Sequence, residues 1–178
     1  MTAVEPPIKL LLVEDERDLA EVMKKSLTES AIPAFQVELA ESLNGCLERL
    51  AAGGVDVLLL DLNLPDSKGL ETFLRVVDKA PQVPTVILTA HDDAAMAIDA
   101  VRRGAQEYLV KGEAEIKLLS RIIRYAVERK RAEECLKQKT ALEGMNRFML
   151  GREERIIELK REINQLLSEL GREEKYTL

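Results

Sequence analysis

The chain has 178 residues, 26 of them Lys or Arg and 32 Asp or Glu, with a formal net charge of −6 and 46% hydrophobic residues. One His and two Cys exclude a His/Cys zinc site, which needs more such ligands, and a disulfide framework. This length suits one domain plus an extension. Because no apolar run approaches the roughly 20 residues that cross a bilayer, and no export signal is visible, we expect a cytoplasmic protein.

Charge divides the chain into two parts. Residues 1–112 hold 11 basic and 19 acidic residues, whereas residues 113–178 hold 15 and 13. Neither part has the clustered positive charge that non-specific nucleic-acid binding requires. We therefore expect two parts with different roles and no direct DNA binding.

Five apolar runs bounded by turn signals predict β-strands, at 8–13, 35–40, 55–61, 85–90 and 107–110. Three of them are almost continuously apolar, which is typical of strands covered by helices on both faces of a parallel sheet.

Helical patterns alternate with these strands. The first lies at 17–30. The second is capped by Ser42 and closed by Gly53, and the third includes Leu70 to Val77. The fourth lies at 94–103 and is stopped by Gly104, and the fifth begins at about Glu113. Apolar spacing and capping residues support each of them. The apolar faces expected to enter the core are Leu19, Val22, Met23 and Leu27 in the first helix and Leu70, Phe73, Leu74 and Val77 in the third. Strict β-α alternation predicts an α/β fold with a doubly wound, five-stranded parallel sheet.

Polar side chains follow four of the predicted strands. The acidic pair Glu14 and Asp15 follows the first strand, Asp61 ends the third, Thr89 lies in the fourth and Lys111 follows the fifth. Parallel sheets bind ligands at this edge, and clustered carboxylates are the ligands that Mg²⁺ prefers. Each residue also has an ordinary structural explanation, such as favouring a helix N-terminus or opening a turn. Their joint occurrence at one edge favours a functional site.

Four motifs carry a family resemblance over residues 7–128. They are LLLVEDE at 10–16, LLLDLNLPDSKGLE at 58–71, ILTAHDD at 87–93 and RRGAQEYLVKGE at 102–113. With these motifs the sequence resembles the receiver domain of two-component response regulators. The resemblance implies a flavodoxin-like receiver domain, which we assign to residues 1–128.

The resemblance implies that Asp61 accepts a phosphoryl group from a histidine kinase or phosphotransfer partner. It also implies Mg²⁺ as the cofactor, with Asp15 and Asp61 as direct ligands, Glu14 acting through water and Asn63 through its backbone carbonyl. The protein would not be an enzyme in the ordinary sense, since it promotes phosphotransfer to, and loss of phosphate from, its own aspartate.

The remaining implied roles concern the phosphoryl oxygens and the switch. Lys111 and Thr89 would stabilise the phosphoryl group, and Thr89 and Tyr108 would change position after phosphorylation. A half-buried strand tyrosine is the alternative explanation for Tyr108.

Two features depart from or lie beside the family pattern. Members usually have Lys-Pro where this chain has Lys111-Gly112, and a cis bond before a non-proline residue costs about 2.5–4 kcal/mol. The adjoining loop is therefore expected to differ. His91 is expected to be an ordinary loop residue.

After residue 113 the composition is helical and contains no Pro. Apolar residues recur in strict 3-4 spacing, with Arg152 as the one polar member of the repeat, at Leu142, Met145, Met149, Ile156, Leu159, Ile163, Leu166 and Leu170. This repeat is typical of a coiled coil, and we assign the helical extension to residues 129–178. Either two chains pair as a homodimer through this seam, or Gly144 and Gly151 break the helix and its last part folds back.

Three functions fit the sequence at this point. The first is a receiver whose phosphorylation modulates a coiled-coil dimer or a partner contact. The second is a non-catalytic coiled-coil scaffold that uses the receiver as a docking module. The third is a haloacid-dehalogenase-type enzyme, disfavoured because that family has a second acid where this chain has Asn63. The chain is also compatible with being the front piece of a longer sensor.

Overall fold

The computed structural model describes residues 6–30, 34–90, 94–111, 115–173 and 175–176. The strands are β1 Ile8–Val13, β2 Phe35–Ala40, β3 Val57–Leu60, β4 Asn63–Leu64, β5 Ser67–Lys68, β6 Thr85–Thr89 and β7 Glu107–Val110. The helices are α1 Arg17–Ser30, α2 Leu43–Ala51, α3 Leu70–Lys79, α4 Ala94–Arg102 and α5 Ile116–Glu169.

Five strands form one parallel sheet in the order β2-β1-β3-β6-β7. The doubly wound parallel sheet predicted from the sequence is therefore confirmed. The order reverses between β1 and β3, and this switch point is where open α/β sheets form their ligand crevice. Strands β4 and β5 form a separate two-stranded hairpin directly after Asp61.

The two faces of the sheet are covered by different helices. Alternation along β1 sends Leu10 and Leu12 to one face and Leu11 and Val13 to the other. The first face packs against buried residues of α1 and of the beginning of α5, and the second against those of α2, α3 and α4. Burial on both faces explains why the strands are almost continuously apolar.

Helix ends follow the local signals in the sequence. The Ser42 side chain accepts a hydrogen bond from the Gly45 amide at 3.2 Å, as predicted for the cap of α2. Gly104, with φ of 105°, follows α4. Two apolar residues expected in the core are exposed instead, Val22 on α1 and Leu74 on α3.

Contacts divide the chain into two compact units, residues 1–131 and residues 132–178. In the first unit α5 begins at Ile116, three residues after the expected start. Its buried residues there are Leu119, Ser120, Ile123, Ala126 and Val127. Ile122 on the same segment is only partly buried.

In the second unit α5 runs without interruption to Glu169. It passes through Gly144 and Gly151, so the expected alternative of a helix broken at these glycines is wrong. The helix ends in a Schellman motif, in which Gly171, with φ of 66°, donates to the Ser168 carbonyl and Arg172 donates to the Leu167 carbonyl.

Lys175 and Tyr176, which follow the helix, pack on its last turns. The buried Asn164 side chain accepts hydrogen bonds from the backbone amides of Lys175 and Tyr176 and donates one to the Tyr176 carbonyl at 2.7 Å. The ammonium groups of Lys160 and Lys175 lie 5.9 and 5.7 Å from the centre of the Tyr176 ring, within cation–π range.

Within the described part of the chain, no helix combines the length and the apolar character that crossing a membrane requires.

Candidate functional site

The predicted site residues lie where four neighbouring parallel strands, β1, β3, β6 and β7, end at one edge of the sheet. The Glu14 amide donates to the Ala40 carbonyl and the Asp61 amide to the Val13 carbonyl, both at 3.0 Å. Farther along the same edge of the sheet, the Lys111 amide donates to the Thr89 carbonyl at 2.7 Å. Each bond continues the ladder of the strand before it, so the sheet register fixes the backbone of these residues.

Three carboxylates and one ammonium group meet at this edge. Oxygen atoms of Glu14, Asp15 and Asp61 all lie within 4.8 Å of one another. Lys111 Nζ donates to Asp61 Oδ2 at 2.6 Å and to Glu14 Oε1 at 2.8 Å. Glu14 and Asp61 are buried, and Asp15 is exposed. The structure therefore brings together four residues that the sequence predicted to meet.

Burial perturbs the ionisation of this cluster. Burial raises the pKa of Glu14 above 4.5, and the Asp61 charge adds to this effect while Lys111 partly opposes it. Burial also acts to lower the pKa of Lys111, but hydrogen bonds with Asp61 and Glu14 outweigh it and raise that pKa. The ammonium form of Lys111 is thus held firmly beside the carboxylates.

The charges of the cluster do not balance. Three carboxyl groups against one ammonium give a formal charge of −2. Glu14 Oε2 is paired with Lys111 Nζ at 2.6 Å, so Lys111 is shared between Glu14 and Asp61. The remaining negative charge is a feature that a divalent cation with hard oxygen ligands would balance.

The loop after Asp61 is held by local hydrogen bonds. The Asn63 amide donates to Asp61 Oδ1 at 3.0 Å. The Leu62 carbonyl accepts from the Gly69 amide at 2.9 Å and from the buried Thr72 hydroxyl at 3.0 Å. Gly69 has φ of 65°, which favours glycine. These bonds fix the loop that carries the Asn63 carbonyl.

Asp66 holds the same loop from its other side, a role that its position in the sequence does not indicate. Its two carboxylate oxygens accept hydrogen bonds from the backbone amides of Leu43 and Asn44 at 2.8 and 2.9 Å. Burial acts to raise the pKa of Asp66, but the bonds from these amides outweigh it and lower the pKa below 3.8. Asp66 therefore caps the first turn of α2 and ties it to the site loop.

The two residues assigned to the switch lie on neighbouring strands. Thr89 is buried at the end of β6. Tyr108 is half-buried on β7, is paired in register with Ile87 and packs against the core on the side of α4. His91 and Gly112, which the sequence analysis singled out, lie outside the described residues.

The chain matches the family model of the response regulator receiver domain over residues 10–123. It belongs to this family. The receiver fold and the family expected from the four motifs are therefore confirmed.

Curated relatives agree with this assignment. The regulatory protein LuxO of Vibrio cholerae is 34% identical over 100 residues, which are 56% of this chain and 21% of LuxO. The transcriptional regulatory protein TrcR of Mycobacterium tuberculosis is 34% identical over 116 residues, which are 65% of this chain and 44% of TrcR. The matched part is thus between about a fifth and a half of these relatives.

Among solved structures, the receiver domain protein of Clostridium thermocellum is similar to this chain with a TM-score of 0.62 and 29% identity. The match covers 70% of this chain and 98% of that protein. The family model ends at residue 123, so most of α5 lies after the matched receiver.

Proposed function

We propose that this protein is a Mg²⁺-dependent receiver that accepts a phosphoryl group on Asp61 from a histidine kinase or phosphotransfer protein. The observation that carries the proposal is the position of Lys111 Nζ, 2.6 Å from Asp61 and 2.8 Å from Glu14, with Asp15 in the same cluster. A nucleophilic carboxylate beside a fixed ammonium group is what phosphoryl transfer needs, because its transition state gains most from charge stabilisation.

In the proposed reaction a carboxylate oxygen of Asp61 attacks phosphorus. The bond from phosphorus to the donor breaks, and the product is an acyl phosphate. Lys111 contributes a compact positive charge to the phosphoryl oxygens. Thr89, buried at the end of β6, is proposed to donate its hydroxyl to the same oxygens, and Tyr108 is proposed to respond to that movement.

Glu14, Asp15, Asp61 and the backbone carbonyl of Asn63 are the proposed holders of Mg²⁺. The formal charge of −2 and the grouping of three carboxylates within 4.8 Å of one another support this donor set. When bound, the ion supplies positive charge to the phosphoryl oxygens as they develop negative charge.

The proposed output lies in the helical extension, which we assign to residues 129–178 after a receiver at 1–128. The extension exposes its apolar seam, including Leu142, Met149 and Leu170. Eight apolar side chains in coiled-coil spacing on an exposed face are consistent with a homodimer through these helices. We propose that phosphorylation of Asp61 modulates this dimer or a partner contact made by the same helix.

The test is to incubate the protein with a small-molecule phosphodonor and Mg²⁺ and to measure its mass. Wild type should gain one phosphoryl group, and Asp61→Asn should gain none. The matched control is Asp78→Asn, because Asp78 is an exposed aspartate of α3 outside the cluster. This control should be phosphorylated like wild type.

Two results would count against the proposal. Phosphorylation of Asp61→Asn would remove the assignment of the acceptor. No phosphorylation of wild type, together with a constant dimer, would favour a scaffold that uses the receiver only for docking.

A further inference from the structure

The exposed seam of the second unit has a composition that distinguishes between types of coiled coil. Numbered from Leu142 as position a, the repeat places Ile156 and Ile163 at a and Leu159 and Leu166 at d. β-Branched residues at a with leucine at d favour two parallel strands, whereas other combinations shift the preference to three or four.

The seam is open along its length. Ile156, Leu159 and Ile163 are 44%, 42% and 38% exposed, and Leu166 and Leu170 are 59% and 71% exposed. The tail residues that the structure describes do not cover it, because Tyr176 packs beside Lys160 and Asn164, which occupy positions e and b. The described residues of this unit thus leave the seam open to a second copy of the chain.

Cys135 lies one heptad before the apolar repeat, seven residues before Leu142 on the same uninterrupted helix. It therefore occupies position a, with Gln138 at the d position of that heptad. The Cys135 thiol is exposed, whereas the other thiol, Cys46, is fully buried in the receiver core. Burial raises the pKa of Cys46 to about 12, so this thiol is unreactive at neutral pH.

We propose that residues 135–170 form a parallel, in-register, two-stranded coiled coil with a second copy of this chain, in which the two Cys135 side chains face each other. This rests on the proposed dimer and adds its orientation, register and strand number. An identical partner in register pairs each layer with itself, which gives Ile layers at 156 and 163 and Leu layers at 159 and 166, the composition that favours two parallel strands. The same register places Arg152 opposite Arg152 at one d layer.

The geometry separates this arrangement from its antiparallel alternative. Helix axes about 8–10 Å apart, with Cα atoms about 2.3 Å from each axis, leave about 3.4–5.4 Å between Cα atoms that point straight at each other. Seam Cα atoms point slightly to the side and are somewhat farther apart, within the range of about 4.4–6.8 Å that a disulfide spans. An antiparallel pair centred on Ile156 would hold the two Cys135 about 60 Å apart, since each lies 21 residues from the centre at about 1.5 Å per residue.

The experiment uses the full chain. Native mass spectrometry in reducing buffer first gives the number of chains in each particle. The protein is then treated with diamide, which is reduced to its hydrazine as two thiols become one disulfide, and covalent dimer is measured on a non-reducing gel. Wild type should cross-link almost completely, and Cys135→Ser should not.

Two further variants in the Cys135→Ser background move the thiol. Leu142→Cys returns it to the next a position and should restore the cross-link. Glu154→Cys places it at position f, on the outer face of the coil, and should give little cross-link, which controls for random collision.

Each outcome has one meaning. A two-chain mass with cross-linking at Cys135 and at Leu142→Cys supports the proposal. A two-chain mass without either cross-link overturns the parallel register but leaves the dimer of the proposed function. A one-chain mass overturns both, and a mass of three or more chains overturns the two-stranded arrangement. Phosphorylation of Asp61 is measured independently of all four results.

Discussion

At the residue scale, Lys111 offsets the repulsion between two buried carboxylates. Its side chain is 16% exposed, and those of Glu14 and Asp61 are 1% and 6% exposed. Charges this deeply buried are stable only when they are paired, because desolvation is not otherwise compensated. Lys111 therefore serves the fold as well as the proposed chemistry.

Lys111→Met should lower the free energy of unfolding by about 3 kcal/mol, the cost of removing one partner from a buried ion pair. Addition of Asp61→Asn should recover part of this loss, because only one buried carboxylate then lacks its cation. Urea unfolding of the two single variants and the double variant measures the coupling. Simple addition of the two single effects would show that the ion pair does not couple these residues energetically.

Asp66 gives a prediction of pH dependence. The pKa of Asp66 is lower in the folded state than its ordinary value of 3.8. Asp66 therefore stabilises the fold fully at pH values above 3.8, and this contribution is lost as the pH falls from 3.8 through the folded-state pKa. Asp66→Ala should cost about 1 kcal/mol at neutral pH, as for loss of a helix cap. The difference from wild type should shrink under strongly acidic conditions.

Urea unfolding of wild type and Asp66→Ala at several pH values measures that difference. Glu48→Ala is a suitable control, because Glu48 lies on α2 itself, outside the Asp66 hydrogen bonds to Leu43 and Asn44. A gap between wild type and Asp66→Ala that is constant across the acidic range would contradict the assigned role of the carboxylate.

At the element scale, the strands and the site edge were predictable because their signals are local. A strand buried on both faces has to be apolar throughout, and strand ends in a parallel sheet meet at one edge. Asp66 was not predictable, because the amides it binds lie 22 and 23 residues earlier in the chain. Only the folded arrangement of α2 beside the site loop brings them together.

Helix faces were predicted less well than helix positions. The apolar stripe of α1 contains Val22, which is 63% exposed, while the smaller Ala20 is buried. Similarly, Val76 on α3 is buried and Leu74 is exposed. A 3.6-residue period leaves residues at the border of a stripe undecided, and contacts with the sheet then determine which of them are covered.

Glycine-to-alanine substitutions in α5 and just after it should change the stability of this helix in opposite directions. Gly144 and Gly151 are helical and have open space where a Cβ would lie. Replacing each with Ala should therefore stabilise the helix by about 1 kcal/mol. Gly171→Ala should instead destabilise the same helix by about 1–2 kcal/mol, because φ there is 66°.

Thermal unfolding followed by far-UV circular dichroism compares these variants. The expected order of melting temperature is Gly144→Ala and Gly151→Ala above wild type, and wild type above Gly171→Ala. Lower melting temperatures for Gly144→Ala and Gly151→Ala would mean that the helix is required to bend at these positions.

At the scale of the whole molecule, one helix belongs to both units. Residues 116–131 of α5 pack on the receiver sheet, and the later residues carry the seam. A change in the receiver that alters the preferred state of α5 would therefore bias association, but only by the difference in free energy between its states. Such couplings are typically about 1–3 kcal/mol, or roughly 5- to 150-fold in affinity.

The proposed function predicts that phosphorylation changes the dimer dissociation constant within this range in wild type. Asp61→Asn should dimerise like unphosphorylated wild type and should not respond to phosphodonor and Mg²⁺, because it lacks the acceptor oxygen while its seam is unaltered. Analytical ultracentrifugation with and without donor measures both constants, and Asp78→Asn should respond like wild type.

If Asp61→Asn responds as strongly as wild type, the change in association does not originate at Asp61. If phosphorylated wild type shows no change, the seam is a constitutive interface and the receiver signals through another surface.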